Sequence, residues 1–424
     1  MITLPPPRPK NDPKQAFLSW LQRYHVALIT ALALLPALAK CIVYAYSFPF
    51  GSDPISFYYF IGLDTGFGGR KLMGTLCQWI LPNYVEHRHL RLLVITSNAL
   101  MLGLFVWLTH KSINRNLRES LPLATVLLVY MLSPFSLANW VDSRLSVGFM
   151  ETYMMVITMI WLLLYLRWRG KWHFYLSSLV IAATGIMIHH SYACLFFPLM
   201  VALFIYDTLE ENGINWKKGF AYGGVCLALL VLFVCIWKFH HMNIDMETLY
   251  ADIRQRAAPD ACEWNKDELH IRYYISQSEN RAMAFGHTHR YSELILSLLM
   301  LAPLFAVFYW PWIRACKCSR QWRYLLMPLS ITMLVLPSFF MITDYSRLWT
   351  AWFFMLILTL MAVTALNDRA LQSALKDLLQ LGKKHWWLAI MLLVYAFQLH
   401  VSGYDGLREA IEWRRFVANL LGRE

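Results

Sequence analysis

The sequence predicts an all-α, polytopic integral-membrane protein of about eleven transmembrane helices with one large extracytoplasmic loop. Three observations carry that prediction. The 424-residue chain is 58% hydrophobic and 15% charged, with a mean hydropathy of +0.43, far outside the range of a soluble domain. Apolar runs recur at about the 20 residues a bilayer requires. Basic residues fall in alternate connections between those runs, as they do in loops that face the cytoplasm.

Taken in order, residues 1–25 begin MITLPPPRPKNDPKQ, a Pro-rich, basic stretch with no apolar core or small-residue cleavage site beside it, which reads as a cytoplasmic leader. The first span covers 26–47; Lys40 within it either snorkels outward or faces the protein interior. Residues 48–91 form the first extracytoplasmic loop, and the run Lys71 to Leu81 inside it is too short to cross, so it predicts an interfacial or re-entrant helix. Further spans fall at 91–109, 122–138, 147–166, 173–190, 191–208, 219–238, 292–312, 324–342, 348–366 and 386–402. Between the fifth and sixth of these eleven, His189 and Ser191 leave almost no turn. Residues 239–291 make the large outer loop, long enough to hold short helices over the membrane face, and 403–424 form a C-terminal tail. No internal repeat or low-complexity tract divides the chain, which predicts one integral-membrane domain over residues 1–424.

Basic clusters set the orientation. Arg8, Lys10 and Lys14, then Lys111, Arg115 and Arg118, then Arg167, Arg169 and Lys171 occupy alternate connections, and Lys217, Lys218, Arg314, Lys317, Lys383 and Lys384 continue the series. The N-terminus is thereby expected inside, and an odd number of crossings puts the C-terminus outside. The same alternation accounts for the net charge of +12, so no nucleic-acid partner is implied. The eight cysteines are scattered, several of them in apolar runs where they act as small hydrophobes. Cys77 and Cys262 both fall on the outer side, within the same oxidising compartment. His287 and His289 lack an acidic or thiolate partner at a fixed spacing, and no metal site is expected. Neither a dinucleotide fingerprint, a phosphate-binding loop nor a nucleophile elbow is present.

The outer connections carry charge of another kind. Asp53, Asp64 and Arg70 lie in the first, Asp142 and Arg144 in the second, His189 and His190 in the third, and Asp344 and Arg347 in the fifth. The stretch 139–198 organises these groups: a span leaves Asp142 and Arg144, turns at Arg167 to Lys171, and a second span returns to His189 and His190 at the same membrane face. Each group has a structural reading as well. Asp64 and Arg70 could form a loop ion pair around GFGG, Asp142 could cap the following helix, and Asp344 could pair with Arg347 at a helix end. The histidine pair could simply be hydrogen-bonded at the interface. Against this stands the recurrence of arginine in short outer loops, where charge-directed topology excludes it. Arg70, Arg144 and Arg347 suit bidentate binding of a lipid diphosphate, with His189 and Asp344 beside them. Asp64, Asp142 or His190 could then take the proton of a sugar hydroxyl as charge develops at the anomeric carbon. Glu151 lies about two turns below Arg144 and is placed to support it.

An arginine ahead of a long span, a basic turn, a returning span that ends HHSYACLFFPL, and a late DYSRLWTAWFFMLIL together resemble the EpsG and Wzy group of bacterial polysaccharide polymerases. The likeness covers residues 120–210 and 335–366. It differs from that group in Leu145 after Arg144 and in Tyr192 before Ala193. The resemblance implies a fold like that of the C-type glycosyltransferases, in a bacterial inner membrane. It further implies transfer of a glycan from an undecaprenyl diphosphate carrier to a sugar hydroxyl of another lipid-linked repeat unit on the outer face. On it, Arg144 and Arg347 contact diphosphate or glycan and His190 lies near the acceptor. No metal, nucleotide or other cofactor is implied; the partners are the lipid-linked oligosaccharide, membrane lipids and a chain-length regulator protein. Two other readings remain open: a lipid-phosphate-dependent C-type glycosyltransferase whose base is Asp53 or Asp64, and a flippase for lipid-linked glycans. The flippase would need polar residues along the spans, which hold few beyond Lys40 and Glu151.

Overall fold

The computed structural model describes residues 13–47, 54–113, 117–142, 149–210, 213–259, 261–262, 291–341 and 345–398. Within them the architecture is all-α, with a single two-residue antiparallel pairing, Leu209–Glu210 with Gly213–Ile214, closing a turn. The helices are α1 (Pro13–Ser47), α2 (Leu72–Ile80), α3 (His87–Ser112), α4 (Leu117–Leu132), α5 (Leu137–Asp142), α6 (Met150–Trp168), α7 (Trp172–Ile188), α8 (Tyr192–Leu195) and α9 (Phe197–Thr208). After the turn come α10 (Trp216–Lys238), α11 (Met246–Arg256), α12 (Tyr291–Ser319), α13 (Arg323–Val335), α14 (Ser338–Met341), α15 (Tyr345–Ala365), α16 (Arg369–Lys384) and α17 (Trp386–Gln398).

Among the described residues, seven helices are long and apolar enough to cross a bilayer, on α1, α3, α4 with α5, α6, α10, α12 and α15. The remaining four expected spans coincide with the shorter apolar helices α7, α9, α13 and α17, of 12 to 17 residues. A 12-residue helix rises only about 18 Å against a hydrocarbon core of ~30 Å. Two of these expected spans are each cut in two. Residues 191–208 divide at Phe196, just before Pro198 in the first turn of α9, and 324–342 divide at Leu336 and Pro337. Proline lacks the amide that would continue the ladder and clashes with the preceding turn, so a new helix begins there.

Helix α15 forms the centre. Nearly every side chain from Leu348 to Val363 is buried, and its aromatic face packs Trp349, Trp352 and Phe353 against Phe135, Phe305 and Phe339. Helices α1 and α10 lie at the periphery, with Ile29, Leu32, Val43, Leu227 and Leu230 exposed as lipid-facing residues require.

At the end of the bundle where basic residues gather, two buried carboxylates tie five helices together. Asp207 of α9 accepts hydrogen bonds from Tyr165 of α6 at 3.1 Å, Tyr222 of α10 at 2.8 Å and Arg169 at 3.3 Å. Asp368 caps α16 through the Leu371 amide and accepts from Tyr206 at 2.7 Å and from Tyr324 of α13. Arg323 lies over the Tyr206 and Tyr324 rings and donates to the Leu209 carbonyl at 3.3 Å. Each charge is thus both paired and hydrogen-bonded, the condition for retaining it away from water.

The opposite end is closed by two connections that clasp each other. Residues 54–86 hold two short 3-10 turns and α2, which at nine residues is indeed too short to cross. The stretch 239–262 docks on them: the His241 amide donates to Phe67, that of Asn243 to Thr65, and Val85 bridges Ala257. Arg256 adds a bond to the Phe60 carbonyl at 2.8 Å. Cys77 and Cys262 are both free thiols in this cap, and Ser56 donates to Cys262 at 3.4 Å. The rest of the large loop, 263–290, with His287 and His289, and the tail 403–424 lie outside the described residues.

Candidate active site

The loop between the first 3-10 turns and α2 reads GLDTGFGGRK, and its glycines let it pass close under the neighbouring connection. Gly66 has φ +136°, and a Cβ there would meet the His241 carbonyl at 2.4 Å; one on Gly68 would fall 2.0 Å from His240 Nδ1. Only glycine fits at position 66, and a side chain at position 68 would have to displace the His240 ring. Arg70 then adopts φ +75°, a left-handed conformation that costs a non-glycine residue about 1 kcal/mol. Its amide donates to the Met187 carbonyl at 3.1 Å, which fixes it against the last turn of α7. The guanidinium lies 5.7 Å from the Tyr58 ring centre, and its buried Nε has no hydrogen-bond partner among the described residues.

Helix α7 ends at Ile188, and His189 leaves it in an extended conformation. His189 is buried, and its Nδ1 accepts the Ser191 amide at 3.2 Å with the Ser191 hydroxyl 2.6 Å away. With Nδ1 accepting, the hydroxyl donates as well, and a neutral His189 carries its proton on Nε2. His190 stacks on His189 with ring centres 4.7 Å apart and planes 19° from parallel. A Cβ on Gly69 would lie 3.5 Å from His190 Nδ1, so the Arg70 loop runs directly over this ring. Burial, then the positive Arg70 and then His240, push the His190 pKa down to about 3, so the imidazole is neutral and can accept a proton.

Asp64 is exposed at the rim of the same loop, and the Gln78 amide of α2 donates to both its oxygens at 3.3 Å. Lys71, which the sequence marks only as the start of a short helix, is fully buried, and its amine donates to the His241 carbonyl at 3.1 Å. Burial pulls its pKa down to about 8, with Asp64 opposing the shift. Lys71 and His240 are the members of this group that sequence reasoning missed. The signal for Lys71 was a second cation directly after Arg70 in a loop where topology disfavours them. His240 carried no local signal, since 170 residues separate it from the loop it touches.

Arg347 stands in other surroundings. It opens α15 and donates to Glu151 Oε1 at 3.0 Å, with Phe149 under its guanidinium at 5.1 Å. Glu151 is the partner of Arg347, and the expectation that it supports Arg144 falls on a residue outside the described ones. The Asp142 side chain, Arg144, Asp344 and Asp53 lie outside the described residues. The described contacts bring Asp64, Arg70, His189 and His190 to one capped end, and they attach Arg347 to α6. One hydrogen-bond contact runs from the cap toward that helix, Tyr59 to Tyr153 at 3.3 Å, two residues along from Glu151.

No family model matches the chain, and no curated protein or solved structure matches it either. Among the described residues, no three His, Cys, Asp or Glu side chains are grouped as metal ligands would be. Chemically, the capped end offers a cation beside the Tyr58 ring and near His190, a neutral imidazole stacked on a second, and a carboxylate at the rim. That set can bind an anion and take a proton from a neighbouring hydroxyl.

Proposed function

We propose that the protein is a glycan polymerase of the bacterial inner membrane, with eleven crossings and a cytoplasmic N-terminus. In this reading α7, α8 with α9, α13 with α14, and α17 complete the crossings, and the clasped loops face outward. The observation that carries the reading is the stack of His189 and His190 beneath the Arg70 loop.

Arg70 holds the diphosphate of an undecaprenyl diphosphate-linked glycan, whose lipid tail follows the apolar helices. The acceptor hydroxyl gives its proton to His190 and its oxygen bonds to the anomeric carbon. The bond from that carbon to the diphosphate breaks, and the lipid diphosphate leaves with the electron pair. His190 is a weak base beside the positive Arg70. An anionic diphosphate offsets that positive charge, raising the imidazole pKa when substrate is bound. The resemblance to the EpsG and Wzy group supports a place for His190 near the acceptor, with Arg144 and Arg347 as contacts to diphosphate or glycan and a chain-length regulator as a partner.

The exposure of Asp64 and its hold by Gln78 favour a second reading, a C-type glycosyltransferase using a lipid-phosphate donor with Asp64 as base. One experiment separates the two. Purified protein is given undecaprenyl diphosphate-linked repeat units, and chain length and released lipid diphosphate are followed. The polymerase reading expects longer chains, lost in His190→Asn and retained in Asp64→Asn. No chain growth with wild type sinks the first reading; the second expects instead transfer from an undecaprenyl phosphate-linked sugar, lost in Asp64→Asn and retained in His190→Asn.

A further inference from the structure

At the basic end of the bundle, far from the clasped loops, a cleft of about 430 Å3 opens between the last turns of α12 and α16. Its wall is apolar at Trp310, Ile313 and Leu381. Arg314 also faces it, but its Nε donates to Asp377 Oδ2 at 2.8 Å, so those two charges offset each other. Lys317 and Lys384 line the same space, and no described carboxylate bonds either ammonium. The cleft is therefore positive at its mouth and greasy along one wall.

Its setting defines what can fill it. Helix α16 lies along the bundle surface with Leu371, Ala374 and Leu375 buried and Lys376, Lys383 and Lys384 exposed, the pattern of a helix at a membrane surface. Trp386 and Trp387 follow Lys384 almost at once and are exposed, as are Trp322 near Arg320, Trp216 beside Lys217, and Trp172 beside Lys171. Exposed tryptophans next to lysine and arginine mark the headgroup layer, where an indole lies among acyl carbonyls and the cation meets phosphate. A free phosphate would use the two ammonium groups but leave the apolar wall wet.

We infer that this cleft holds one anionic glycerophospholipid, its phosphate between Lys317 and Lys384 and the start of an acyl chain along Trp310, Ile313 and Leu381. The site is separate from the proposed transfer reaction and stands without it. Neither lysine touches the groups assigned to that chemistry.

The test is native mass spectrometry of the full-length protein in detergent, titrated with dioleoylphosphatidylglycerol or dioleoylphosphatidylcholine. One phosphatidylglycerol is expected to survive activation that strips phosphatidylcholine. The pair Lys317→Gln with Lys384→Gln weakens that retention at least about tenfold, while Lys376→Gln with Lys383→Gln, the same charge loss outside the cleft, does not. Leu381→Trp, which fills the apolar wall and keeps every charge, also displaces the lipid, so the site is tested even where the lysine pair impairs folding. Equal retention in both lysine pairs, or equal retention of the two lipids, overturns the proposal. Displacement by millimolar inorganic phosphate overturns it as well, because the cleft would then be a site for small anions.

Discussion

Arg347 and Glu151, 196 positions apart, meet at 3.0 Å and join the first turn of α15 to the first turn of α6. The carboxylate is buried and the guanidinium side chain about one-fifth exposed (21%), so the pair is largely desolvated. Removing one member strands the other. Glu151→Ala is expected to destabilise the protein by on the order of 3 kcal/mol, and Arg347→Met with Glu151→Leu to recover most of that loss. Thermal unfolding in detergent reads both; an additive double variant would show that the two do not interact.

On the proposed polymerase reading, Arg70→Ala lowers glycan transfer about 100-fold, since that reading gives Arg70 a charge-assisted contact to the leaving diphosphate. The same change removes the second cause of the depressed His190 pKa, so that pKa rises, though burial keeps it below the usual histidine value. Nitrogen-15 histidine spectra follow the titration. An unchanged His190 would mean that the arginine and the ring do not share a site.

Acid should weaken the folded state through His190. The unfolded chain takes up a proton there near pH 6.5, whereas the folded site refuses it until about pH 3. Between those values the unfolded state binds more protons, so stability falls as pH falls, by on the order of 2 kcal/mol at pH 5. The melting temperature of His190→Asn should therefore drop less between pH 7.5 and 5 than that of wild type. Parallel curves would refute the assignment.

Lys71→Met should loosen the clasp. The buried amine bonds the His241 carbonyl, while the His241 amide bonds Phe67 across the same junction. Hydrogen exchange at the 240–243 backbone is expected to speed up about tenfold, with the α15 backbone unaffected. Uniform acceleration through both would instead indicate general destabilisation.

The all-α membrane class was legible from the length and composition of the apolar runs. The short α2 and the abrupt junction at His189 were both readable, since length and an absent turn are local properties. Helix α16 was not: its 16 residues follow an amphipathic period and read in the sequence as a basic connection, because a surface helix raises no hydropathy peak. The breaks at Phe196 and Leu336 were signalled by Pro198 and Pro337 but hidden inside runs of sufficient total length. In the site, His189, His190 and Arg70 announced themselves as polar groups where spans end. Their contact with one another depends on a left-handed Arg70 and the glycines before it, and the partnership of Glu151 with Arg347 depends on how α6 meets α15. Neither is encoded within a single window of sequence.

The carboxylates Asp207 and Asp368 turn one end of the bundle into a fixed base. Five helices are anchored there, while toward the other end two of the apolar runs are interrupted near proline. Motion within the bundle would then fan outward from that base, with the breaks at Phe196 and Pro337 as its joints. The clasped end would shift most and the anchored end least.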